Sequence, residues 1–231
     1  MLKSLEKSIL ISAQVLLISN IIFCQAEIGV TGGIHINNQI TLNPNIYPKT
    51  TLNPQMSEGF NITLFYQKPI KRDLFLRGQL LISSFKKRFK INSGGKLFTS
   101  VTKGEIKPTE ISIGVVPTIK ITDKPIIQVG FGANYIHQIN NPKVNIITTA
   151  HNFHAGESIT IEKTINQSEI INKNGLGLIF NAEMKIPITS DIKLVTGLNV
   201  NQQITRFVSA NVSDSKVYTG IIGYVIGIMI E

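Results

Sequence analysis

Several residues in this chain could do chemistry by type and spacing. "HNFH" sets His151 and His154 three apart with Glu157 nearby, two imidazoles and a carboxylate that could reach a metal ion. His137 could act as a general base, the role an imidazole takes when a serine and an acid stand beside it. Lys86, Lys87, Arg88 and Lys90 crowd one short stretch, and clustered cations of this kind attract anionic headgroups. Arg77 and Glu183 carry opposite charges inside segments that otherwise alternate between apolar and small or polar residues. His35 stands alone in such a segment.

Each group also has a plainer reading. A metal site needs more ligands in fixed geometry than "HNFH" offers, and the expected state of that stretch is a disordered loop. No serine or acid is evidently placed beside His137, so no catalytic residue is expected. His35 is expected to be hydrogen-bonded in a polar interior. Echoed segments "TLNPN" (41–45) and "TLNPQ" (51–55) read as two successive turns, because Asn-Pro pairs initiate turns. No metal or cofactor is expected.

The chain has 231 residues with 23 basic against 14 acidic, a net charge of +9. That balance raises a nucleic-acid partner. However, residues 86–108 hold seven Lys and Arg against one Glu, in one connection rather than interleaved with stacking aromatics. Nucleic acid is therefore not an expected partner. Cys24 is the only cysteine, which removes disulfides and thiolate metal sites from the body of the protein. It falls in "MLKSLEKSILISAQVLLISNIIFCQAE", where Lys3 and Lys7 precede an apolar stretch and a small-residue exit at Ala26. This is the secretory pattern, so residues 1–26 are expected to be a signal peptide and 27–231 the mature domain.

The elements that position these side chains are strands. "VYTGIIGYVIGIMI" (217–230) carries no charge for 14 residues, too few for a spanning helix, which needs about 20. Its β-branched residues and interior glycines also favour a strand. At period two, Tyr218, Ile222, Tyr224, Ile226, Ile228 and Ile230 share one face, and Thr219, Gly223, Val225, Gly227 and Met229 the other. Seven earlier segments alternate in the same way, beginning near residues 27, 60, 74, 110, 127, 175 and 192. "KPIKRD", "TDKP" and "PITSD" are short links rich in turn residues. They alternate with long links over 37–57, 86–108, 139–174 and 203–216. In an up-and-down sheet all short turns then lie on one side and all long connections on the other.

The expected fold is all-β: an eight-stranded antiparallel up-and-down transmembrane β-barrel. Strand number, strand length and loop asymmetry are those of an outer-membrane barrel. Closure pairs every edge without help from water. In these features residues 27–231 resemble the small OmpA-type and OmpX-type barrels and the outer-membrane β-barrel domain family of Gram-negative bacteria. The resemblance implies an outer-membrane location, contact with membrane lipid and lipopolysaccharide, and delivery by the barrel assembly machinery. It also implies interfacial aromatic girdles; there is no tryptophan, so Tyr66, Tyr135 and Tyr218 are assigned to them.

Placed on that fold, Lys86, Lys87, Arg88 and Lys90 leave the membrane at the height of lipopolysaccharide phosphates. They contact those phosphates or belong to a solvated, mobile loop. Arg77 and Glu183 both point inward at similar height and are expected to pair across the interior. The expected function is non-enzymatic: a structural barrel, or one presenting its four long loops to surfaces, lipopolysaccharide or an extracellular ligand whose identity the sequence does not give. Two alternatives stand beside it, an outer-membrane enzyme modifying lipid A and a soluble lipocalin-like carrier.

Overall fold

A computed structural model describes residues 26–42, 51–54, 57–94, 98–152, 156–205 and 216–231. Residues 1–25, which hold Cys24 and nearly all of the expected signal peptide, lie outside them, as does His154. The strands are β1 (Glu27–Leu42), β2 (Thr51–Pro54), β3 (Ser57–Lys71), β4 (Leu74–Phe85), β5 (Lys87–Gly94), β6 (Phe98–Ile106) and β7 (Thr109–Asp123). After these come β8 (Ile126–Gln138), β9 (Lys143–Asn152), β10 (Glu157–Asn166), β11 (Asn174–Pro187), β12 (Ile192–Gln203) and β13 (Lys216–Ile230).

Eight of them close a barrel in the order β1-β13-β12-β11-β8-β7-β4-β3. These are the eight strands expected from the alternation. The first and last pair antiparallel, from Ile28 opposite Ile230 to Leu42 opposite Lys216. Every barrel strand therefore has two neighbours, and no edge is left within the membrane. Strand parity follows the sequence pattern: Ile34 is 76% exposed on the outer face, whereas Arg77, inside, is 1% exposed. The exterior is a band of Ile, Leu, Phe, Val and Tyr, and the lumen is packed with Asn, Gln, Thr, Ser and charged side chains. Among the described residues no helix is long and apolar enough to cross a membrane.

Inward-facing glycines mark where neighbouring backbones approach closely. A Cβ on Gly132 would strike the Val115 carbonyl oxygen, and one on Gly227 the Val30 carbonyl oxygen. The short turns lie together at one end. Lys120 bridges two of them, reaching Asp123 at 2.8 Å and Asp73 at 3.4 Å. Its hydrogen bond holds the Asp123 carboxyl below its ordinary pKa.

At the opposite end the barrel wall continues as a second sheet, in the order β10-β9-β6-β5-β2. This order repeats that of the barrel strands β11-β8-β7-β4-β3, from which these segments lead on. Of the two alternatives for 86–108, the solvated loop is corrected for the described residues, where β5 and β6 are paired strands. The disordered loop expected at "HNFH" is corrected for His151 and Asn152, which lie in β9 paired with β10, while Phe153 and His154 lie outside the described residues. The turn reading of the second "TLNP" is corrected too, since Thr51–Pro54 is a strand with Leu52 opposite Ile91 and Pro54 opposite Phe89. Hairpin partners (β5 with β6, β9 with β10) and partners distant in sequence (β6 with β9, β2 with β5) satisfy backbone groups that local composition had assigned to water.

Candidate functional site

Three layers can be followed from the turn end of the barrel outward: a charged lumen, an apolar lid and the external sheet. In the lumen, Arg77 donates two hydrogen bonds to Glu183, Nη1 to Oε1 at 2.7 Å and Nη2 to Oε2 at 2.5 Å. Arg77 Nε also donates to Gln67 Oε1 at 3.1 Å, and the guanidinium lies 4.2 Å from the centre of the Phe65 ring. The planar guanidinium is thus held on its edges by a carboxylate and an amide and on its face by an aromatic ring.

Glu27 forms a second centre. Its Oε2 accepts from Lys185 Nζ at 2.8 Å and Gln67 Nε2 at 3.1 Å, and its Oε1 from Lys193 Nζ at 3.2 Å. Lys193 also donates to Glu231 at 2.7 Å. Gln67 joins the two centres and donates to Gln128 at 3.0 Å as well. Sequence reading missed Glu27, although the parity of β1 already set it on the inner face with Gly29 and Thr31. Higher up, Asn199 donates to Asn181 at 2.7 Å, and Asn181 to Gln79 at 3.1 Å.

His35 departs from its expected setting. It is 2% exposed, and neither ring nitrogen meets a hydrogen-bond partner among the described residues. Its strand neighbours in register are Gly59 and Gly223, which offer no polar side chain, and its ring meets that of Phe85 edge-on with centroids 6.1 Å apart. Phe85 in turn belongs to the lid, a buried cluster with Ile106, Val144, Ile170, Ile171 and Ile221.

Polar side chains lace the base of the external sheet to the rim. Asn140 accepts from Thr109 N at 2.7 Å and donates to the Lys107 carbonyl at 2.8 Å. Asn141 accepts from Ser168 N at 2.8 Å, and Gln167 from Lys107 N at 3.0 Å. These bonds close the backbone groups of three connections that meet at the lid.

The basic cluster is divided. Lys86, between β4 and β5, lies 3.0 Å from Glu105 Oε2, and Lys107 lies 3.6 Å from the other oxygen. Lys87, Arg88 and Lys90 sit on β5 in register with Ile106, Glu105 and Lys103 of β6. His151 Nδ1 is 2.7 Å from Ser158 Oγ across the β9–β10 pair. Among the described residues no group of three His, Cys, Asp or Glu side chains could hold a metal ion. His137 Nδ1 meets Asn174 Oδ1 at 2.7 Å, an amide where a catalytic triad would need an acid.

A closed, eight-stranded, apolar-skinned barrel with a hydrogen-bonded polar lumen is an outer-membrane β-barrel protein. The chain belongs to the outer membrane protein beta-barrel domain family, whose model matches residues 20–203. Comparison with curated proteins returns no match. The chain is similar to the solved structure of Ail, the attachment invasion locus protein of Yersinia pestis (11% identity, TM-score 0.35, covering 88% of this chain and 98% of that one). It is similar to Neisserial surface protein A (13%, TM-score 0.40, 88% and 96%) and to OprG from Pseudomonas aeruginosa (10%, TM-score 0.42, 89% and 95%). Family membership and the apolar exterior set aside the soluble carrier: a lipocalin-like protein in water would not expose such a band.

Proposed function

We propose that this protein is a non-enzymatic outer-membrane barrel whose work is done by its external sheet, presented at the cell surface to lipopolysaccharide or a macromolecular partner. The observation that carries this reading is the five-stranded sheet built from connections on the side opposite the short turns. The lumen supports it, because a network in which Arg77, Gln67 and Lys185 are almost fully buried leaves little room for a substrate. His137 gives the lipid-A enzyme little support, with an amide for its partner. Delivery through the barrel assembly machinery is part of this proposal, and the outer-membrane barrel family supports it.

Surface presentation is tested with single cysteines in a Cys24→Ser chain. A cysteine at Thr149 should react with a membrane-impermeant maleimide on intact cells, and one at Asp191 only after permeabilisation. Equal labelling, or the reverse order, overturns the reading. Lipopolysaccharide contact through Lys86, Lys87, Arg88 and Lys90 is tested by replacing all four with alanine. Less lipopolysaccharide should then co-purify with the folded barrel, and unchanged recovery removes these residues from that role.

A further inference from the structure

We propose that β10 is a self-complementary edge at which two copies of this chain pair antiparallel, with Thr160 on the two-fold axis. The inference rests on the external sheet being presented at the surface and names its partner as a second copy.

Strand β10 ends the external sheet and pairs only with β9 among the described residues. Its ten residues, "ESITIEKTIN", run opposite β9 in unbroken register, without proline or bulge. All but Ile165 are exposed. Among the described residues one row of its backbone N–H and C=O groups is therefore open to pairing. Of the usual devices that blunt an edge the strand carries only charged residues, Glu157, Glu162 and Lys163, with no proline, bulge or covering element among those residues. Ile159 and Ile161 are 61% and 59% exposed, so a pair of large apolar side chains stands at this edge. Glu157 and Lys163 lie on the same face as these isoleucines, and neither has an ion-pair partner among the described residues.

The sequence of β10 selects one register. In a symmetric antiparallel pair, residues opposite each other present the same hydrogen-bonding side, so one residue must face its own copy on the axis. With Glu162 or Lys163 on the axis, like charges oppose. With Ile161 there, Lys163 faces Ile159; with Ile159 there, Glu157 faces Ile161. Thr160 on the axis sets Glu157 against Lys163 and Ile159 against Ile161, each twice. Opposite charges and β-branched pairs directly across a sheet are the favourable cross-strand combinations. Ser158 then faces Glu162, and the two five-stranded sheets become one of ten.

Such an axis is perpendicular to the sheet. Strand β9 leaves the rim and β10 returns to it, with Gln167 N bonded to the Pro142 carbonyl at the base. In a sheet that stands on the rim as an extension of the wall, the two barrels then point in opposite directions. The contact joins facing membranes rather than neighbours in one membrane.

The test uses the folded barrel in detergent micelles, as Cys24→Ser with one cysteine added. Thr160→Cys should give a disulfide-linked dimer on mild oxidation. Ser158→Cys and Glu162→Cys should not do so alone, but should cross-link when mixed. Glu157→Lys and Lys163→Glu should each abolish the Thr160→Cys cross-link, and mixing the two charge variants should restore it. Equal cross-linking at all three positions, none at Thr160→Cys, or indifference to the charge changes overturns the proposal. Heat-modifiable gel migration reports folding, and surface labelling at Thr149 reports presentation. A lost cross-link with both intact condemns the pairing alone; lost labelling condemns the surface reading.

Discussion

Arg77 on β4 and Glu183 on β11 meet through two parallel hydrogen bonds, although β7 and β8 separate their strands on one side of the barrel and β12, β13, β1 and β3 on the other. Both side chains are buried, so each is the other's counter-charge in a lumen from which water is largely displaced. Arg77→Met or Glu183→Gln alone should cost about 3–5 kcal/mol in refolding titrations, because each leaves a buried partner unsatisfied. The double variant should lose clearly less than the sum. Additive losses in the cycle would show that the two side chains are not coupled.

Glu27 gathers both lumen lysines, and the two should respond differently to its loss. Lys185 is 0% exposed with Glu27 as its ion-pair partner, whereas Lys193 also holds Glu231. Lys185→Met in a Glu27→Gln background should recover stability lost in Glu27→Gln alone, since it removes the stranded cation. Lys193→Met in the same background should recover less. Equal recovery measured in urea would contradict the geometry.

Charge on the outer face should destabilise according to depth. Leu178 lies in the middle of the wall opposite Ala133, and Ile186 lies next to the end of its strand. Leu178→Arg should cost about 2–4 kcal/mol and Ile186→Arg about 0–1. Val129, four residues into β8 and close to the turn, belongs with the shallow group. Refolding into vesicles gives the comparison, and a larger loss at Ile186 would reverse the assignment.

Inward glycines are not equivalent to empty space. A Cβ at Gly130 would lie 2.7 Å from both Thr118 Oγ1 and Val116 Cγ1, whereas one at Gly78, facing outward, would meet nothing within 4 Å. Gly130→Ser should therefore cost about 1–3 kcal/mol by overpacking. Gly78→Ala should stay within about 0.5 kcal/mol of the parent. Similar urea midpoints for the two would refute the crowding.

Processing is open to direct measurement. Removal of residues 1–26 would leave Glu27 as the first residue, so the intact mass of membrane-extracted protein should match a chain beginning there. A mass that includes Met1 would rule out cleavage.

The sequence by itself determined the barrel, because strand parity is a local property. Each side chain's face follows from counting by two, and lipid outside with packing inside enforces the same parity along all eight strands. The inward positions of Arg77 and Glu183 follow from that count, and short links alternating with long ones determine which end is which. What only the tertiary structure decided are relations between segments far apart in the chain. The joining of Glu27 to Lys185 and Lys193 depends on the stagger of strands around the ring, which parity does not contain. The external sheet depends on β6 finding β9 and β5 finding β2, pairings that polar, Thr-rich composition leaves unspecified because neither face must be buried. His35 shows the same limit: its inward direction is local, but the glycines in register with it, which offer it no polar side chain, come from β3 and β13.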